Sequence, residues 1–251
     1  MARASKLRTL IVCTAVAILA ALPCKAIAAC ESLQSGGSNY TICRFDPGLN
    51  RLEIRDAAPD GQPYRFFSAL ADDYAARGEK LSFAMNAGMF DDQGRPIGYF
   101  VEDGRVVKKL NRRNGPGNFH MKPNGVFFVA GGKAGVMETE AFAKSGIKPK
   151  FATQSGPLLV INGKLHPKIS ESGTSAKIRN GVGIDGDGRA VFVISDSLVT
   201  FYEFASLFKD TLDCDNALFF DGTVSAIYAP ELGRTGNFIP LGPLVGAVET
   251  Q

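Results

Sequence analysis

Short apolar runs bounded by turn residues recur along most of the chain, and this pattern predicts β-strands. Several runs are joined by residue pairs that favour the positive φ angles of tight hairpins, namely Asp103-Gly104, Gly131-Gly132, Asn162-Gly163 and Asp187-Gly188. The predicted strands cover residues 40–45, 52–55, 81–85, 97–102, 106–110, 126–130, 157–161, 181–184, 190–194, 217–220 and 244–248. The chain is therefore expected to contain many short strands, several of them in hairpins.

Two segments instead repeat apolar residues at helical spacing. Residues 65–77 place Leu70 and Tyr74 on one face and stop before Gly78, a residue type that commonly ends helices. Residues 198–212 carry a stripe of phenylalanines with the same period, which is typical of a helix packed on a core. The sequence shows no internal repeat and no linker. The pattern therefore predicts an α+β fold, a single domain with a mixed, largely antiparallel β-sheet flanked by a few helices.

Residues 1–29 have the layout of a secretory signal peptide. A basic opening is followed by an apolar run and then by small residues up to Ala29. The apolar run is too short to span a bilayer comfortably, so we expect cleavage and a mature domain at 30–251 with no transmembrane helix. The protein is then exported, to the periplasm or the extracellular space. The sequence Ile27-Ala28-Ala29-Cys30 also resembles a bacterial lipoprotein processing site, which leaves lipid anchoring at Cys30 as an alternative.

The net charge changes when the signal peptide is removed. The full chain has 28 Lys and Arg against 25 Asp and Glu. Four of the basic residues, Arg3, Lys6, Arg8 and Lys25, lie in the predicted signal peptide, so the mature balance is 24 minus 25, or −1. A chain of this charge lacks the overall basicity of a nucleic-acid-binding protein, and we expect no nucleic-acid partner. The sequence does not indicate an oligomeric state.

The mature chain keeps three cysteines, Cys30, Cys43 and Cys214. An exported protein enters an oxidising compartment, where disulfides form. Cys30 and Cys43 bracket a polar loop, so we expect these two to pair and Cys214 to be a buried thiol. A lipid on Cys30 would instead make Cys43–Cys214 the candidate pair.

Several familiar motifs are excluded by their sequence context. Gly181-Val182-Gly183-Ile184-Asp185-Gly186 matches a dinucleotide-binding fingerprint, but a hairpin turn and a strand follow where a helix N-terminus is needed. The two histidines, His120 and His166, are far apart and lack zinc-type spacing. We therefore predict no metal site and no cofactor. A divalent cation stays an open alternative that nothing in the sequence indicates.

Polar and small residues cluster where predicted strands end. Asn86 and Gly88 follow one strand, and Asp221 follows the aromatic run that ends at Phe220. Strand ends that carry amides or carboxylates often line a cleft, because such groups are costly inside a core. The other members of the set are Asn118, His120, Asn124, Ser155, Gly156, Arg179, Asn180, Gly222, Thr223 and Ser225. Turn chemistry alone is the alternative for Asn86 and for Asp221, and a surface charge or structural ion pair is the alternative for Arg179.

Six stretches of this kind form an ordered set. They are Met85-Asn86-Ala87-Gly88-Met89-Phe90, Gly117-Asn118-Phe119, Pro123-Asn124-Gly125-Val126, Gln154-Ser155-Gly156-Pro157, Arg179-Asn180-Gly181 and Phe220-Asp221-Gly222-Thr223-Val224-Ser225. Together they resemble the phosphodiester glycosidase family, and the resemblance extends from about residue 40 to residue 248. It implies hydrolysis of a sugar-1-phosphodiester. Ala87, Thr223 and Val224 stand where the family pattern has glycine, which implies a reshaped pocket and a substrate that need not be that of the family's animal enzyme.

The implied reaction suggests a role for each cluster. Arg179 is expected to hold the phosphate, because a planar guanidinium binds phosphate through two hydrogen bonds. Asp221 is expected to act as general base or to stabilise oxocarbenium character, and Asn86 completes this catalytic set. The residues expected to bind sugar hydroxyls and phosphate oxygens are Gly88, Asn118, His120, Asn124, Ser155, Gly156, Asn180, Gly222, Thr223 and Ser225. Among them, His120 is also a candidate second acid or base.

The expected partner is a sugar-phosphate small molecule or a glycopolymer of the cell envelope. Two other functions fit the same residues. One is an exported module that binds sugar phosphates without cleaving them, and the other is a phosphodiesterase that breaks the phosphorus–oxygen bond. Asp91 or Asp92 offers the second carboxylate of an ordinary glycosidase, but Asp91-Asp92-Gln93-Gly94 is equally typical of a solvated turn.

Overall fold

The computed structural model describes residues 30–250, so the predicted signal peptide at residues 1–29 lies outside the described residues. The strands are β1 (Cys30–Ser35), β2 (Ser38–Phe45), β3 (Arg51–Arg55), β4 (Glu79–Asn86), β5 (Phe100–Glu102), β6 (Arg105–Lys108), β7 (Gly125–Ala130), β8 (Lys133–Glu138), β9 (Phe151–Ser155), β10 (Leu158–Ile161), β11 (Lys164–Leu165), β12 (Asn180–Ile184), β13 (Ala190–Ser195), β14 (Asn216–Asp221), β15 (Ile227–Tyr228) and β16 (Leu244–Thr250). The α-helices are α1 (Phe67–Ala76), α2 (Thr139–Ser145) and α3 (Phe201–Ser206). Short 3-10 helices cover Asn118–His120 and Pro230–Leu232, and a π-helical turn covers Leu207–Thr211.

The strands form three sheets. A seven-stranded sheet has the order β1-β2-β13-β12-β14-β10-β11, a four-stranded sheet the order β15-β4-β16-β3, and a five-stranded sheet the order β6-β5-β9-β7-β8. Every described strand pair is antiparallel. The prediction of an α+β fold with largely antiparallel strands is confirmed. We expected one sheet and the structure has three, because open sheets of more than about ten strands tend to split into packed sheets.

Each predicted strand corresponds to an observed strand with small shifts at its ends, whereas β1, β8, β9, β11 and β15 were not predicted. Strand β8 shows why, since Val136 is its one buried residue and its sequence carries little apolar signal. Its pairing with β7 defines it instead. The helix predicted at 65–77 is α1. The helix predicted at 198–212 is the shorter α3, which continues into the π-helical turn.

The central core lies between the sheets and is rich in phenylalanine. The ring of Phe127 in β7 meets Phe192 in β13 and Phe220 in β14 edge to face, with centroids 5.5 and 6.3 Å away. Phe83 in β4 brings in the four-stranded sheet, with its centroid 5.0 Å from that of Phe192. The three sheets therefore share one packed core, which holds the ends of their strands in fixed relative positions.

Each helix covers the outer face of one sheet. Helix α1 packs Phe67 and Tyr74 against the four-stranded sheet, and α2 packs Phe142 against the five-stranded sheet. Helix α3 packs Phe204 against the seven-stranded sheet, where Phe219 of β14 belongs to the same cluster. The seven-stranded sheet is thus apolar on both faces, one towards the central core and one towards α3.

Cys30 and Cys43 form a disulfide between β1 and β2, where they are directly opposite each other. This confirms the preferred pairing. Cys214 is a buried free thiol, as predicted, and burial raises its pKa to about 12. In the described range 30–250, no helix combines the length and apolar character needed to cross a membrane.

Candidate active site

Three strand ends from two sheets meet at one place. Strand β4 ends at Asn86, β12 begins at Asn180 and β14 ends at Asp221. Because β12 and β14 are antiparallel neighbours, the start of one lies beside the end of the other, and Asn180 and Asp221 are cross-strand partners. The topology thus brings these two residues together at the edge of the central core.

The side chains of Asn86 and Asn180 form a hydrogen-bonded pair, and both residues are fully buried. Asn180 Nδ2 donates to the backbone oxygen and to the Oδ1 of Asn86, each at 3.0 Å. Asn86 Oδ1 also accepts from the backbone N–H of Ala226 at 2.9 Å. Two donors therefore fix the orientation of the Asn86 amide. Its Nδ2 is buried and has no acceptor among the described residues.

The Asp221 carboxylate organises the turn that follows β14. Its Oδ1 accepts from the backbone N–H groups of Gly222 at 2.6 Å, Thr223 at 2.7 Å and Val224 at 3.4 Å. The Asp221 N–H donates to Asn180 Oδ1 at 3.1 Å. Within the described part of the chain, no hydrogen bond reaches Oδ2. One carboxylate oxygen is thus fixed by the protein, and the other is available to a ligand.

Burial raises the pKa of Asp221 above its ordinary value, because a carboxylate is less stable away from water. The three backbone N–H donors of the turn lower the pKa of this group, since they stabilise its ionised form, but their effect is the smaller one. Asp221 is 9% exposed, which leaves its free oxygen accessible. A held carboxylate with a raised pKa suits general acid or base work.

A β-bulge decides which face of the sheet carries Asp221. Gly181 lies opposite Phe219, but the next pair is Asn180 opposite Asp221, so Phe220 is the extra residue on β14. Residues that lie opposite each other share a face of the sheet. The bulge therefore puts Asp221 on the face of Asn180, which looks towards the four-stranded sheet.

Arg179 lies on the other face, under α3. Its guanidinium stacks on Phe201, with Cζ 3.7 Å from the ring centroid, and the Phe219 ring is 5.6 Å away. Nε donates to the Val199 carbonyl at 2.9 Å and Nη2 donates to the Ser175 carbonyl at 2.7 Å. No carboxylate in the described range pairs with this guanidinium, and burial is the one cause that shifts its pKa. The structural ion pair that was its alternative is therefore not found in residues 30–250.

This buried cation keeps one unused donor. Arg179 Nη1 is buried and lacks an acceptor among residues 30–250. Burial lowers the pKa of Arg179 to about 10, so the group is still charged at neutral pH. A Cβ built on Gly222 would lie 3.6 Å from Nη1, which places this nitrogen beside the turn that follows Asp221. A buried cation without a counterion and with a free N–H is suited to bind an anion.

Ser155 and Gly88 join the five-stranded sheet to this cluster. Ser155 Oγ, at the end of β9, donates to the carbonyl of Phe220, the extra residue of the bulge, at 2.8 Å. The Gly88 N–H donates to Thr153 Oγ1 at 3.1 Å. A Cβ on Gly88 would lie 2.4 Å from the Gln154 carbonyl oxygen, so only glycine allows this close approach. Both residues therefore make their contacts within the protein, and these contacts hold the strand ends of the site in position.

Asn118 and Asn124 belong to the neighbouring loop, and Gly156 packs against it. Asn124 Nδ2 donates to the Phe119 carbonyl at 2.8 Å, and its Oδ1 accepts from Thr139 Oγ1 at 2.9 Å. Both ends of this amide are thus used within the protein. A Cβ on Gly156 would lie 2.7 Å from the Phe119 carbonyl oxygen, so this glycine also serves close packing. Asn118 is exposed.

The structure does not bring His120 to Asp221. His120 Nδ1 lies 3.2 Å from the Arg113 carbonyl oxygen, and the ring packs edge-on against Phe119. The predicted set therefore divides. The residues at the meeting strand ends are Asn86, Asn180, Asp221, Gly222, Thr223 and Ser225. The residues that support them are Gly88, Ser155 and Gly156, and Arg179 lies behind the sheet. The remaining residues, Asn118, His120 and Asn124, lie in the loop.

Two residues outside the predicted set organise the site. Gln154 Oε1 accepts from the backbone N–H groups of Tyr99 and Asn111, both at 2.9 Å, and its Nε2 donates to the Asn111 carbonyl at 2.8 Å. Phe201 supplies the ring beneath Arg179. Gln154 is the first residue of one of the six motifs, and its amide beside Ser155 was the sequence signal that could have identified it. No sequence signal separates Phe201 from the other phenylalanines of the helical stripe.

The described residues contain no group of three or more His, Cys, Asp or Glu placed to hold a metal ion. Gly181 and Gly183 of the fingerprint-like stretch lie in β12, and a Cβ on Gly183 would lie 2.6 Å from Cys214 Sγ, so this glycine serves packing. His166 is buried, and its Nδ1 accepts from the Lys168 N–H at 3.1 Å.

A model of the phosphodiester glycosidase family matches residues 79–237 of the chain, a range that includes all six motifs. The strand ends that carry Asn86, Asn180 and Asp221 lie within this range. The uncharacterized protein YigE of Escherichia coli (strain K12) is 39% identical over 189 residues, which cover 75% of this chain and 72% of YigE.

Solved structures share the fold at low sequence identity. The catalytic domain of zebrafish N-acetylglucosamine-1-phosphodiester alpha-N-acetylglucosaminidase, auto-inhibited by its pro-peptide, has a TM-score of 0.61 at 15% identity and covers 88% of this chain and 81% of that chain. A Burkholderia pseudomallei K96243 protein described as exported has a TM-score of 0.56 at 11% identity, covering 84% of this chain and 74% of that chain. At these identities the likeness concerns the fold alone.

Proposed function

The chain belongs to the phosphodiester glycosidase family, and we propose that it hydrolyses a sugar-1-phosphodiester at the bond between the anomeric carbon and the phosphate oxygen. Thr223 and Val224 stand at the turn where the family pattern has glycine, and Thr223 is exposed. Added side chains at this turn narrow the space above it. We therefore do not transfer the sugar named for the zebrafish enzyme to this protein.

The observation that carries the proposal is the pair of unused polar groups at the meeting strand ends. Asn86 Nδ2 is a buried donor without an acceptor in the described chain. Such an atom costs roughly 1–3 kcal/mol, so it persists most readily where a ligand supplies the missing partner. Asp221 Oδ2 is the free oxygen of a held carboxylate. Sugar hydroxyl groups can accept from the amide and donate to the carboxylate.

Asp221 is assigned to general base work or to stabilisation of positive charge at the anomeric carbon. In the balanced reaction, the oxygen of water bonds to the anomeric carbon, and the bond from that carbon to the phosphate oxygen breaks. The electron pair of the broken bond leaves with the phosphate monoester. When Asp221 acts as base, its Oδ2 takes the proton from water and later passes it to solvent.

Arg179 is assigned to the departing phosphate. A phosphate is already a good leaving group, so stabilising its negative charge matters more than protonating it. Nη1 is the free donor of the guanidinium, and it lies beside Gly222. Because Asp221 and Arg179 lie on opposite faces of the sheet, the proposal requires a substrate that reaches across the Asp221-Gly222 turn.

We also propose that the protein acts outside the cytoplasm. The Cys30–Cys43 disulfide supports this, because disulfides persist in oxidising compartments. The fold shared with a protein described as exported agrees with it. N-terminal sequencing of protein recovered from the periplasm or the medium tests the proposal. A chain that begins near Cys30 supports export with cleavage, and an intact Met1 terminus in the cytoplasm overturns it.

Turnover of a sugar-1-phosphodiester by the wild-type protein and by Asp221→Asn tests the reaction. We expect the wild type to release free sugar and phosphate monoester, and the variant to lose this release while its thermal unfolding stays cooperative. Asp72→Asn is the matched control, since Asp72 is an exposed carboxylate of α1 and its loss should leave turnover unchanged. Normal turnover in Asp221→Asn would remove Asp221 from the mechanism.

The same assay separates the two rival functions. Calorimetric binding of the sugar-1-phosphodiester with no product at any enzyme concentration would support a binding module. Reaction in isotopically labelled water locates the broken bond, because the label enters the sugar when the carbon–oxygen bond breaks. Label in the phosphate would overturn the glycosidase assignment in favour of a phosphodiesterase.

A further inference from the structure

A concave surface rich in cations lies at the segment that follows β6. A cavity of about 500 Å³ is lined by Ile97 and by residues 107–113. No acidic residue lines it. Its charged lining residues, which we call the basic surface, are Lys108, Lys109, Arg112 and Arg113.

Most of this positive charge is not neutralised by the protein. Arg112 pairs with Glu140, with Nε 2.8 Å from Oε1. In the described part of the chain, Lys108, Lys109 and Arg113 have no ion pair, and all three are exposed. The mature chain is expected to carry a net charge of −1. Overall basicity therefore does not account for this surface, and a local excess of exposed cations attracts an anionic partner.

The backbone of the basic surface is held in place. The Asn111 N–H and carbonyl both bond to the Gln154 side chain, at 2.9 and 2.8 Å, and Asn111 Nδ2 donates to the Ile97 carbonyl at 3.0 Å. Lys122 Nζ donates to the Arg112 carbonyl at 2.8 Å. An ordered backbone presents its cations in a fixed arrangement, so less conformational freedom is lost when a ligand binds.

The same contacts connect the basic surface to the candidate active site. His120 Nδ1 lies 3.2 Å from the Arg113 carbonyl oxygen, at the loop that precedes the site. Gln154 is followed by Ser155, whose Oγ bonds to the carbonyl of the residue before Asp221. The backbone of the basic surface is therefore tied, through Gln154 and Ser155, to the strand end that carries Asp221.

We propose that the basic surface binds the anionic chain of a phosphate-bearing glycopolymer, so that the enzyme acts on a polymer and not on a free sugar phosphate. The ligand class rests on the proposed function, because a polymer of repeated phosphodiesters carries negative charges beyond the bond that is cleaved. Residues 108–113 span at most roughly 17 Å when extended at about 3.3 Å per residue. This length accommodates more than one phosphodiester unit.

The test measures binding of a synthetic oligo(glycerol phosphate) to the full mature protein, at ionic strengths of about 0.01 M and about 0.15 M. We expect Lys108→Gln/Lys109→Gln to bind about tenfold more weakly at the lower ionic strength, because two exposed charge contacts are lost. Its salt dependence should also be shallower. Lys133→Gln/Lys164→Gln removes the same charge from the first residues of β8 and β11 and should bind like the wild type.

The outcomes separate this inference from the proposed function. Weaker binding in the Lys108/Lys109 variant, with unchanged binding in the control variant, supports the inference even where no sugar is released. The absence of turnover then counts against the proposed function alone. Equal losses in both double variants, or equal affinity for a single-stranded oligonucleotide, would overturn it. Strand β6 is an edge strand, and lysines often protect such edges from pairing. If the Lys108/Lys109 variant dimerises and binds the oligo(glycerol phosphate) as tightly as the wild type, the two lysines protect the edge strand and the proposal is overturned.

Discussion

Asn180→Ala removes the side chain that ties two strand ends together. Asn180 Nδ2 donates to Asn86 at two oxygens, and its Oδ1 accepts from the Asp221 N–H and, at 3.3 Å, from Ser225 Oγ. After the substitution, the buried Asp221 N–H has no acceptor and the Asn86 carbonyl loses its side-chain donor. Both the amide proposed to bind substrate and the turn that holds the carboxylate then lose their common support.

The expected loss of stability follows from these contacts. A buried neutral hydrogen bond contributes about 1 kcal/mol net, and a buried donor left without an acceptor costs about 1–3 kcal/mol. The bonds to Asn86 and the orphaned Asp221 N–H together give about 3 kcal/mol. For a domain of this size, that loss lowers the midpoint of thermal unfolding by about 6–12 °C. Misplacement of the two reacting groups should also lower kcat, by up to about 100-fold.

Calorimetric unfolding and turnover of a sugar-1-phosphodiester check this prediction. Ser225→Ala is the matched control, since Ser225 Oγ bonds to the Asp221 carbonyl at 3.0 Å and its loss should cost about 1 kcal/mol. Asn180→Asp keeps the shape but sets an oxygen against the two acceptor oxygens of Asn86, so it should be at least as destabilising as Asn180→Ala at neutral pH. The reasoning is refuted if Asn180→Ala costs no more than Ser225→Ala.

Two further predictions concern Asp221 and Gly88. Burial raises the pKa of Asp221 in the folded protein above 3.8, so the unfolded state loses this proton first as the pH rises. The amount by which Asp221 lowers the free energy of unfolding is therefore zero at low pH and grows above pH 3.8. The unfolding temperature of Asp221→Asn minus that of the wild type should therefore increase from about pH 4 towards neutral pH, and a flat or falling difference would contradict the raised pKa. Gly88→Ala should destabilise the protein by about 1–3 kcal/mol, because its Cβ would lie 2.4 Å from the backbone oxygen of Gln154. Chemical denaturation measures this loss, with Gly236→Ala as control, since a Cβ there meets no atom within 4 Å.

The sequence was sufficient to predict the strands that carry the site, for a physical reason. A strand buried on both faces needs an apolar run, and residues 217–220 before Asp221 provide one, as the burial of β14 confirms. An amide or carboxylate at the end of such a run has to find partners at the edge of the core. That constraint is local, so the order of residue types along the chain is enough to identify Asn86 and Asp221 as candidates.

The partners of these groups were not predictable in the same way. His120 and Asn124 occur close together in one loop, yet Asn124 bonds within the loop and to Thr139, while His120 turns towards Arg113. Residue type and spacing do not determine which of two loop side chains faces a cleft, because the path of the loop depends on contacts from distant segments. The motif therefore predicts that the loop belongs to the site, but it does not give the role of each residue.

The position of Arg179 depends on one irregularity that no sequence pattern indicates. In a regular antiparallel ladder that continued the Gly181–Phe219 pair, Asn180 would oppose Phe220 and Arg179 would oppose Asp221. Opposed side chains have Cβ atoms about 4.5–5.5 Å apart, so the two charged groups would form an ion pair. Such a pair would lower the pKa of Asp221 and occupy the guanidinium.

The extra residue Phe220 prevents this pairing. It moves Gly222 into the position beside Arg179 Nη1 and turns Asp221 to the face of Asn180. Both charged groups then stay unneutralised, which leaves the pKa of the carboxylate raised and one N–H of the guanidinium free. These are the two properties that the proposed hydrolysis uses, one at the sugar and one at the phosphate. Deleting the bulge would remove both together without changing either charged residue.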